Sequence, residues 1–321
     1  MSASRFSVAL CTRNGARFLP ALLDSLAVQT QPPSELVVCD DASTDQTCDV
    51  LDEFARRVAF PVHIYVNRVP LGVVKNFERT IGLCSGYFIA LADQDDSWYE
   101  HKLERLAAIL AAPSALAAFS DAEVVGADLA PLGYSMWQRV HFAPREQARL
   151  ARGEGFRVLL KHRVVTGATL AFKHDLRDMA LPIPDGWQHD AWLALIAAAQ
   201  GGLVATSEPL IAYRQHATNA VGGMRKRFPQ EMLEALALDR ANWYSNELAL
   251  WHALSARLEA RFTPKPIRLA LAEKISHIER RARLPSVRWR RLPGVLRELA
   301  TGGYARYARN WGSVVIDLLV R

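Results

Sequence analysis

Residues 88–96 read FIALADQDD, a short apolar run that ends in three carboxylates, Asp93, Asp95 and Asp96. The run is too short for a buried helix and follows Gly86, so the pattern predicts a buried strand. Packing gives no reason for three acids there, because a buried carboxylate without a partner costs several kcal/mol. A divalent cation and the phosphates it carries would supply the missing positive charge. The stretch therefore predicts metal-assisted chemistry on a diphosphate.

The sequence around this stretch alternates between strand-like and helix-like segments. Apolar runs predict strands at 6–10, 36–39, 62–66 and 87–92, and residues at helical spacing follow each run, the last of them at 98–110. Such alternation is typical of an α/β fold with a mostly parallel sheet covered by helices on both faces. Further along, the pattern predicts strands at 117–125 and 164–172, a helix at 187–199 and mainly helices from 224 onward.

Polar side chains follow the ends of the predicted strands. They are Thr12, Asn14, Asp40, Asp41, Asp93 and Asp95. Open α/β sheets bind ligands in the crevice beyond the carboxyl ends of their strands. These residues form three groups, one after each of three predicted strands, and the groups are therefore expected to lie together at one site.

Composition describes a globular protein with uneven charge. Of 321 residues, 50% are hydrophobic, and the four cysteines lack CxxC spacing, as expected for reduced thiols in the cytoplasm. No leader and no apolar stretch of about 18–20 residues is recognisable. Residues 223–321 hold 19 Lys and Arg against 9 Asp and Glu, whereas residues 1–222 hold 20 against 24. We therefore expect a catalytic domain over 1–222 and a basic helical region over 223–321.

Three motifs resemble the family-2 inverting glycosyltransferases of the GT-A fold. They are SVALCTRNG at 7–15, DDASTD at 40–45 and DQDDSW at 93–98. Two later segments, HDAWL at 189–193 and YRQHATN at 213–219, resemble the bacterial rhamnosyltransferase-like branch that builds surface polysaccharides such as O-antigen. The resemblance covers residues 7 to about 222. It implies transfer of a sugar, rhamnose in that branch, from a dTDP- or UDP-sugar to a saccharide or lipid-linked acceptor.

The resemblance implies that Asp95 binds Mg²⁺ or Mn²⁺ and that Asp93 contacts the ribose or the metal. Asp96 either belongs to this site or starts the next helix. His216 either completes the metal shell or is an ordinary loop residue.

For the nucleotide, the resemblance implies that Asp40 accepts a hydrogen bond from a pyrimidine N–H and that Thr12 and Asn14 line the same pocket. Asp41 either binds as well or caps the following helix together with Ser43. Asn76 either borders the nucleotide or lies on the polar face of a helix. Arg13 stands where the family often has an aromatic residue.

Asp190 is the candidate general base, because an inverting transfer needs a carboxylate to take the proton of the acceptor hydroxyl. An acid in the first turn of a helix is also stabilised by the helix dipole, and both explanations remain open.

The basic region interleaves arginines with Trp289, Tyr304, Tyr307 and Trp311. Such a surface fits the headgroups of an anionic membrane, which would place the protein peripherally on the inner face of the cytoplasmic membrane. An ordinary solvated helical face is the alternative. Two other functions also stay open, a nucleic-acid-binding protein and an aspartyl-nucleophile phosphatase. We expect no nucleic-acid partner, since the motif-bearing half is acidic.

Overall fold

The computed structural model describes residues 6–216, 239–261, 263–308 and 310–319. The first part of the helical region predicted from 224 onward lies outside the described residues. Within the described ranges the chain forms one mixed sheet, the helices packed on it, and a separate group of helices towards the C-terminus.

The strands lie on the first two thirds of the chain. They are β1 (Phe6–Thr12), β2 (Glu35–Asp40), β3 (Val62–Val66), β4 (Phe88–Asp93), β5 (Ser97–Trp98), β6 (Ala117–Val125), β7 (Pro131–Ser135), β8 (Leu170–Lys173) and β9 (Leu203–Arg214).

The sheet order is β3-β2-β1-β4-β8-β6-β9-β5, with β7 paired to β6. The first four strands run parallel, so Thr12 lies beside Asp40, and Cys11 beside Asp93. Strand β8 joins the two halves antiparallel to both β4 and β6, and β9 returns parallel to β6. The parallel register brings the polar ends of β1, β2 and β4 to the same edge.

The helices and short helical turns are α1 (Leu19–Ala27), α2 (Thr47–Arg57), α3 (Val73–Leu83), α4 (Lys102–Leu110), α5 (Met136–Arg139), α6 (Pro144–Arg149), α7 (Gly155–Leu159), α8 (His174–Ala180), α9 (His189–Ala199), α10 (Arg240–Glu259), α11 (Lys265–Ala282), α12 (Leu292–Ala300), α13 (Gly303–Tyr307) and α14 (Asn310–Leu319). No helix within the described ranges is both long and apolar enough to cross a bilayer.

The core of the sheet follows from its sequence pattern. Strands β1, β2 and β4 are covered on both faces, and Leu36, Val38 and Ala90 are fully buried between the helices. Fully buried parallel strands need continuous apolar runs, and the sequence supplies them here. The predicted α/β fold class is therefore confirmed, with antiparallel strands added in the second half.

Three sequence predictions differ from the structure. The helix predicted at 98–110 begins only at Lys102, because Ser97 and Trp98 pair with β9 as strand β5. The strand predicted at 164–172 is shorter, because residues Gly167–Thr169 form a single helical turn before β8 begins. Strand β9 was not predicted at all, because Ser207, Glu208 and Pro209 interrupt its apolar pattern. The pairing of β6 with β9 shifts register beside Pro209, as expected where a strand meets a proline.

The contacts divide the chain into two compact units. The first comprises residues 1–153, 164–183 and 187–223, and the second comprises 154–163, 184–186 and 224–321. The second unit is stabilised by a buried carboxylate, Asp317, which accepts hydrogen bonds from Tyr244, from Arg281 Nε at 2.6 Å and from Tyr304 Oη at 2.5 Å.

Candidate active site

The ends of β1 and β2 are joined through one buried carboxylate. Asp40 is fully buried and accepts hydrogen bonds from Thr12 Oγ1 at 2.7 Å, from Ser43 N at 2.8 Å and from Ser43 Oγ at 2.5 Å. Thr12 is likewise buried. The two residues expected to bind the base therefore lie together, at the carboxyl ends of adjacent parallel strands.

A strained loop carries Asn14 to the same place. Asn14 and Ala42 both adopt positive φ, 47° and 59°, a conformation that costs a non-glycine residue free energy. Asn14 N donates to Ser43 Oγ at 2.8 Å, and Asn14 Oδ1 accepts from Thr44 N at 2.8 Å. These bonds hold the loops after β1 and β2 against each other.

Asp41 organises a third loop. Its carboxylate accepts from Asn67 Nδ2 at 2.7 Å and from the amides of Leu71 and Gly72 at 2.6 and 2.9 Å. Burial alone would raise the pKa of Asp41, but these hydrogen bonds outweigh it and lower the pKa below its usual value. Helix α2 begins only at Thr47, so the interpretation of Asp41 as its cap is wrong.

Asn76 is buried in α3 and belongs to this network. Its Nδ2 donates to Cys39 O at 2.7 Å and its Oδ1 accepts from Asn67 Nδ2 at 2.8 Å. The alternative of an exposed polar helix face is therefore wrong for Asn76, which instead ties α3 to the end of β2.

Gln94 connects the acidic turn after β4 to the loop after β1. Its Oε1 accepts from Arg13 N at 2.8 Å, and its Nε2 donates to Arg13 O at 3.0 Å. A Cβ on Gly15 would stand 2.2 Å from Gln94 Oε1, so this close approach requires glycine. Both backbone polar atoms of Arg13 are thus held by a residue that lies between two of the acids.

The acids of the turn are crowded and poorly neutralised. Burial, followed by the charges of Asp95 and Asp190, raises the pKa of Asp93 to about 7. Burial and the charges of Asp95 and Asp93 raise the pKa of Asp96 well above its usual value. Asp96 is fully buried, and its Oδ2 has no hydrogen-bond partner among the described residues. Helix α4 begins at Lys102, so Asp96 does not start it.

Lys102 is a buried cation beside these acids. Its Nζ donates to Ala168 O at 2.6 Å and lies 3.4 Å from the centre of the Trp98 ring. Burial lowers the pKa of Lys102 well below its usual value, against the opposing charges of Asp96 and Asp93. The burial of Lys102 could not be predicted from the sequence pattern, because a lysine at the start of an amphipathic helix usually lies in solvent.

The side chains of Asp95, in the acidic turn, and His216 are in direct contact. His216 Nε2 lies 2.8 Å from Asp95 Oδ2, and the ring packs on Phe18 with 4.4 Å between centroids. Arg214 Nε donates to Asp95 O at 2.6 Å. The structure thus brings together two of the three side chains predicted to bind metal, Asp95 and His216. No group of three or more His, Cys, Asp or Glu side chains within the described ranges is arranged to hold a metal ion.

Asp190 lies at the second position of α9, in its first turn. Asp190 Oδ2 accepts from Gly167 N at 3.1 Å, and Oδ1 accepts from Ala191 N at 2.6 Å. Its charge contributes to the raised pKa of Asp93, so the two carboxylates share one electrostatic environment. Asp190 therefore lies close enough to the acidic turn for its charge to act there, and the helix dipole acts on Asp190 as well.

His189 is the first residue of the HDAWL segment and lies next to Asp190 in α9. Its ring stacks on Phe77 at 4.0 Å, and neither ring nitrogen has a hydrogen-bond partner among the described residues. Burial lowers the pKa of His189 and keeps the imidazole neutral. A Cβ on Gly167 would stand 2.8 Å from His189 Nε2, so residue 167 must be small for Asp190 to be held there.

Gly167→Ala is expected to destabilise the first unit by about 1–3 kcal/mol, because the new methyl group meets a buried, stacked ring. Sugar transfer is expected to fall further than stability, since the amide that holds Asp190 must shift. Urea unfolding and steady-state rates measure the two effects. Gly82→Ala is the matched control, because nothing lies within 4 Å of its Cβ position; equal behaviour of the two variants would contradict the assigned contact.

The sequence comparisons point to one family. Residues 7–164 match the family described as Glycosyl transferase family 2. A Mycobacterium tuberculosis PGL/p-HBAD biosynthesis glycosyltransferase is 38% identical over 111 residues, which cover 34% of this chain and 43% of that protein. An uncharacterized glycosyltransferase of Nostoc sp. is 23% identical over 267 residues, covering 79% of each chain. The chain thus spans less than half the length of the mycobacterial relative.

Solved structures share the fold at low sequence identity. S. aureus TarS 1-349 in complex with UDP-GlcNAc superposes with a TM-score of 0.56 at 16% identity, over 93% of this chain and 92% of that one. The mannosyltransferase PcManGT from Pyrobaculum calidifontis, in complex with GDP-Man and Mn²⁺, gives 0.54 at 19%, over 94% and 75%. Both structures support the GT-A fold predicted for this chain. Over residues 7–164, which contain the acidic turn and the strand-end loops, the chain is therefore similar to glycosyltransferase family 2.

Proposed function

We propose that this protein is a metal-dependent, inverting glycosyltransferase that uses a UDP- or dTDP-sugar as donor. One observation carries the proposal: the parallel register of β1, β2 and β4 brings Thr12, Asp40 and the acidic turn at 93–96 to one edge of the sheet, and the charge of Asp190 acts on that turn. A donor diphosphate at that turn would place its sugar between the turn and Asp190. The phosphatase and nucleic-acid alternatives give neither Asp40 nor Asp190 a role.

The nucleotide pocket in this proposal is formed by the loops after β1 and β2. Thr12, Asn14 and Asp40 hold one another there, and Asp41 and Asn76 fix the loop at 67–72 that borders them. Asp40 and Asp41 already accept several hydrogen bonds, so their main contribution is to hold these loops in place. A pocket organised before binding loses less conformational entropy when the nucleotide enters.

The residues at the turn fit a divalent cation. Asp95 and His216 lie within 2.8 Å of each other, and Asp96 has a buried oxygen without a partner among the described residues. Mg²⁺ in such sites uses one or two carboxylates and takes its other ligands from phosphates and water. Asp95 and His216 would hold the ion, Asp93 would contact the ribose of the donor, and Mn²⁺ would fit as well. When bound, it supplies positive charge that stabilises the departing diphosphate.

Asp190 acts as the general base in the proposed reaction. The amides of Gly167 and Ala191 fix its carboxylate, so one oxygen lone pair can point to the acceptor hydroxyl. The acceptor oxygen attacks the anomeric carbon from the side opposite the leaving diphosphate, and Asp190 takes its proton. This geometry inverts the anomeric configuration.

Resemblance alone carries the finer assignments. Segments 189–193 and 213–219 support a rhamnosyl donor and a saccharide or lipid-linked acceptor in surface polysaccharide synthesis. The PGL/p-HBAD relative is named as a biosynthetic glycosyltransferase, which supports a role in biosynthesis. A lipid-linked acceptor would bring the protein to the inner face of the cytoplasmic membrane.

Thermal unfolding with a panel of UDP, dTDP, GDP and their sugars, with and without Mn²⁺ or Mg²⁺, tests the proposal. A ligand at a hundred times its Kd adds about 2.7 kcal/mol to the unfolding free energy, which raises Tm by several degrees. We expect the largest increase for one pyrimidine diphosphate sugar together with the metal. If no nucleotide raised Tm under either condition, the proposed function would be wrong.

A further inference from the structure

The second unit presents an exposed surface that combines arginines with large apolar side chains. We call residues 285–297 the tail surface; it consists of a short segment at 285–287, a single turn of 3-10 helix at Arg288–Arg291 and the first part of α12. Residues 285–290 are all exposed, and Trp289 is 73% exposed. In α12, Leu292 and Leu296 are one turn apart and exposed, whereas Val295 is buried. This helix is therefore apolar on its outer face as well as its inner face.

The charge of the tail surface is entirely positive. Arg288, Arg290 and Arg297 are exposed on it. Glu298 is turned inward, where it bonds His277 Nδ1 at 2.5 Å and pairs with Arg280. Asp317 is fully buried against Arg281. These are the only acids between residues 280 and 321, so both carboxylates of this segment are neutralised inside and none offsets the arginines outside.

A buried arginine holds the turn in its exposed position. Arg291 is 1% exposed, and it donates to the carbonyl oxygens of Pro285, Ser286 and Asp317 at 2.7, 2.9 and 2.9 Å. Arg290 in turn lies 5.0 Å from the centre of the Trp289 ring. Trp289 is thus presented to the outside by a fixed backbone, so little conformational freedom is lost when it is covered.

We propose that the tail surface docks onto an anionic lipid bilayer, with Trp289, Leu292 and Leu296 at headgroup depth and the arginines on lipid phosphates. Tryptophan favours the membrane interface, and each basic residue near an anionic surface strengthens binding. A nucleic-acid backbone would match the arginines but would leave Val287, Leu292 and Leu296 uncovered. The docking depends on the lipid surface alone and not on the proposed sugar transfer. It gives the proposed membrane location a definite site.

Co-sedimentation of the full chain with lipid vesicles tests the docking. One set contains phosphatidylcholine, and in the other phosphatidylglycerol replaces about a third of it, enough to give a negative surface potential. We expect binding to the anionic vesicles only, and weaker binding as salt increases. The double change Arg288→Gln and Arg290→Gln is expected to lower the partition coefficient by about tenfold or more. Neither donor nor metal is present, so the outcome is independent of the proposed activity.

A matched pair of leucines gives the sharpest control. Leu296, on the tail surface, and Leu269, in α11, are each 53% exposed. Leu296→Ala is expected to weaken vesicle binding several-fold, and Leu269→Ala to leave it unchanged. The proposal would be overturned if both variants lost binding equally, or if the protein bound both vesicle types equally. It would also be overturned if a duplex oligonucleotide competed fully with the vesicles. A dimer in solution that Leu296→Ala dissociates without any change in vesicle binding would overturn it as well.

Discussion

Asp95→Ala is expected to lower metal-dependent sugar transfer by about a thousandfold or more. The change removes the carboxylate beside His216 that the proposed ion would bind, and the loss of several kcal/mol of transition-state stabilisation corresponds to that factor. The backbone oxygen of residue 95, which accepts from Arg214, stays in place, so the turn should remain folded. Initial rates across a Mn²⁺ titration measure the effect.

Asp24→Ala is the control for this change. Asp24 is an exposed carboxylate in the same unit, where it pairs with Arg57 at 3.0 Å, and such pairs contribute little to stability. We expect Asp24→Ala to retain normal rates and a normal rise in Tm with Mn²⁺, and Asp95→Ala to lose both. An Asp95→Ala variant that kept more than about a tenth of normal turnover would show that the ion is held elsewhere.

Asp190→Asn is expected to reduce turnover by about 10²–10⁴-fold and to leave donor binding nearly unchanged. The amide oxygen can still accept the hydrogen bond from Gly167 N, but the side chain can no longer take a proton. Single-turnover rates and donor affinity, measured by calorimetry, separate the two effects. A similar loss in both quantities would indicate a structural role instead.

Asp175→Asn tests whether the helix dipole explains the effect. Asp175 occupies the second position of α8, as Asp190 does in α9, and it lies exposed beside His174. Substitution at either position removes about the same dipole interaction, worth less than about 1 kcal/mol. If the two variants reduced turnover equally, the assignment of Asp190 as the general base would be wrong.

The strand-end clusters could be predicted from sequence because parallel strands bring their carboxyl ends to one edge. Thr12, Asp40 and Asp93 needed only the strand pattern, and Asp190 needed the resemblance to a family as well. The pattern predicts at which end of the sheet these side chains lie, but it does not predict their hydrogen-bond partners. Asp41 was one such case, since a polar run after a strand can cap a helix or hold a loop, and only the late start of α2 decides between these roles.

Other parts of the site could not be read from sequence because they depend on tertiary contacts. Lys102 reads as a surface lysine until the structure encloses it between Trp98 and the acids. Gly167 matters only because the ring of His189 occupies the space beside it. The strand β9 carries Arg214 and leads to His216, but its polar interruption concealed it in the pattern. Long-range pairing overrides local propensity at each of these places.

The double hydrogen bond of Gln94 to Arg13 has a consequence for how ligands communicate. Residue 94 lies between Asp93 and Asp95, so any shift of the loop after β1 is carried directly to the peptide that bears Asp95. If the proposed nucleotide and cation bind at these two loops, the hydrogen bonds between Gln94 and Arg13 would link their affinities. Since such coupling is reciprocal, the factor by which one ligand improves the other's dissociation constant must be the same in both directions.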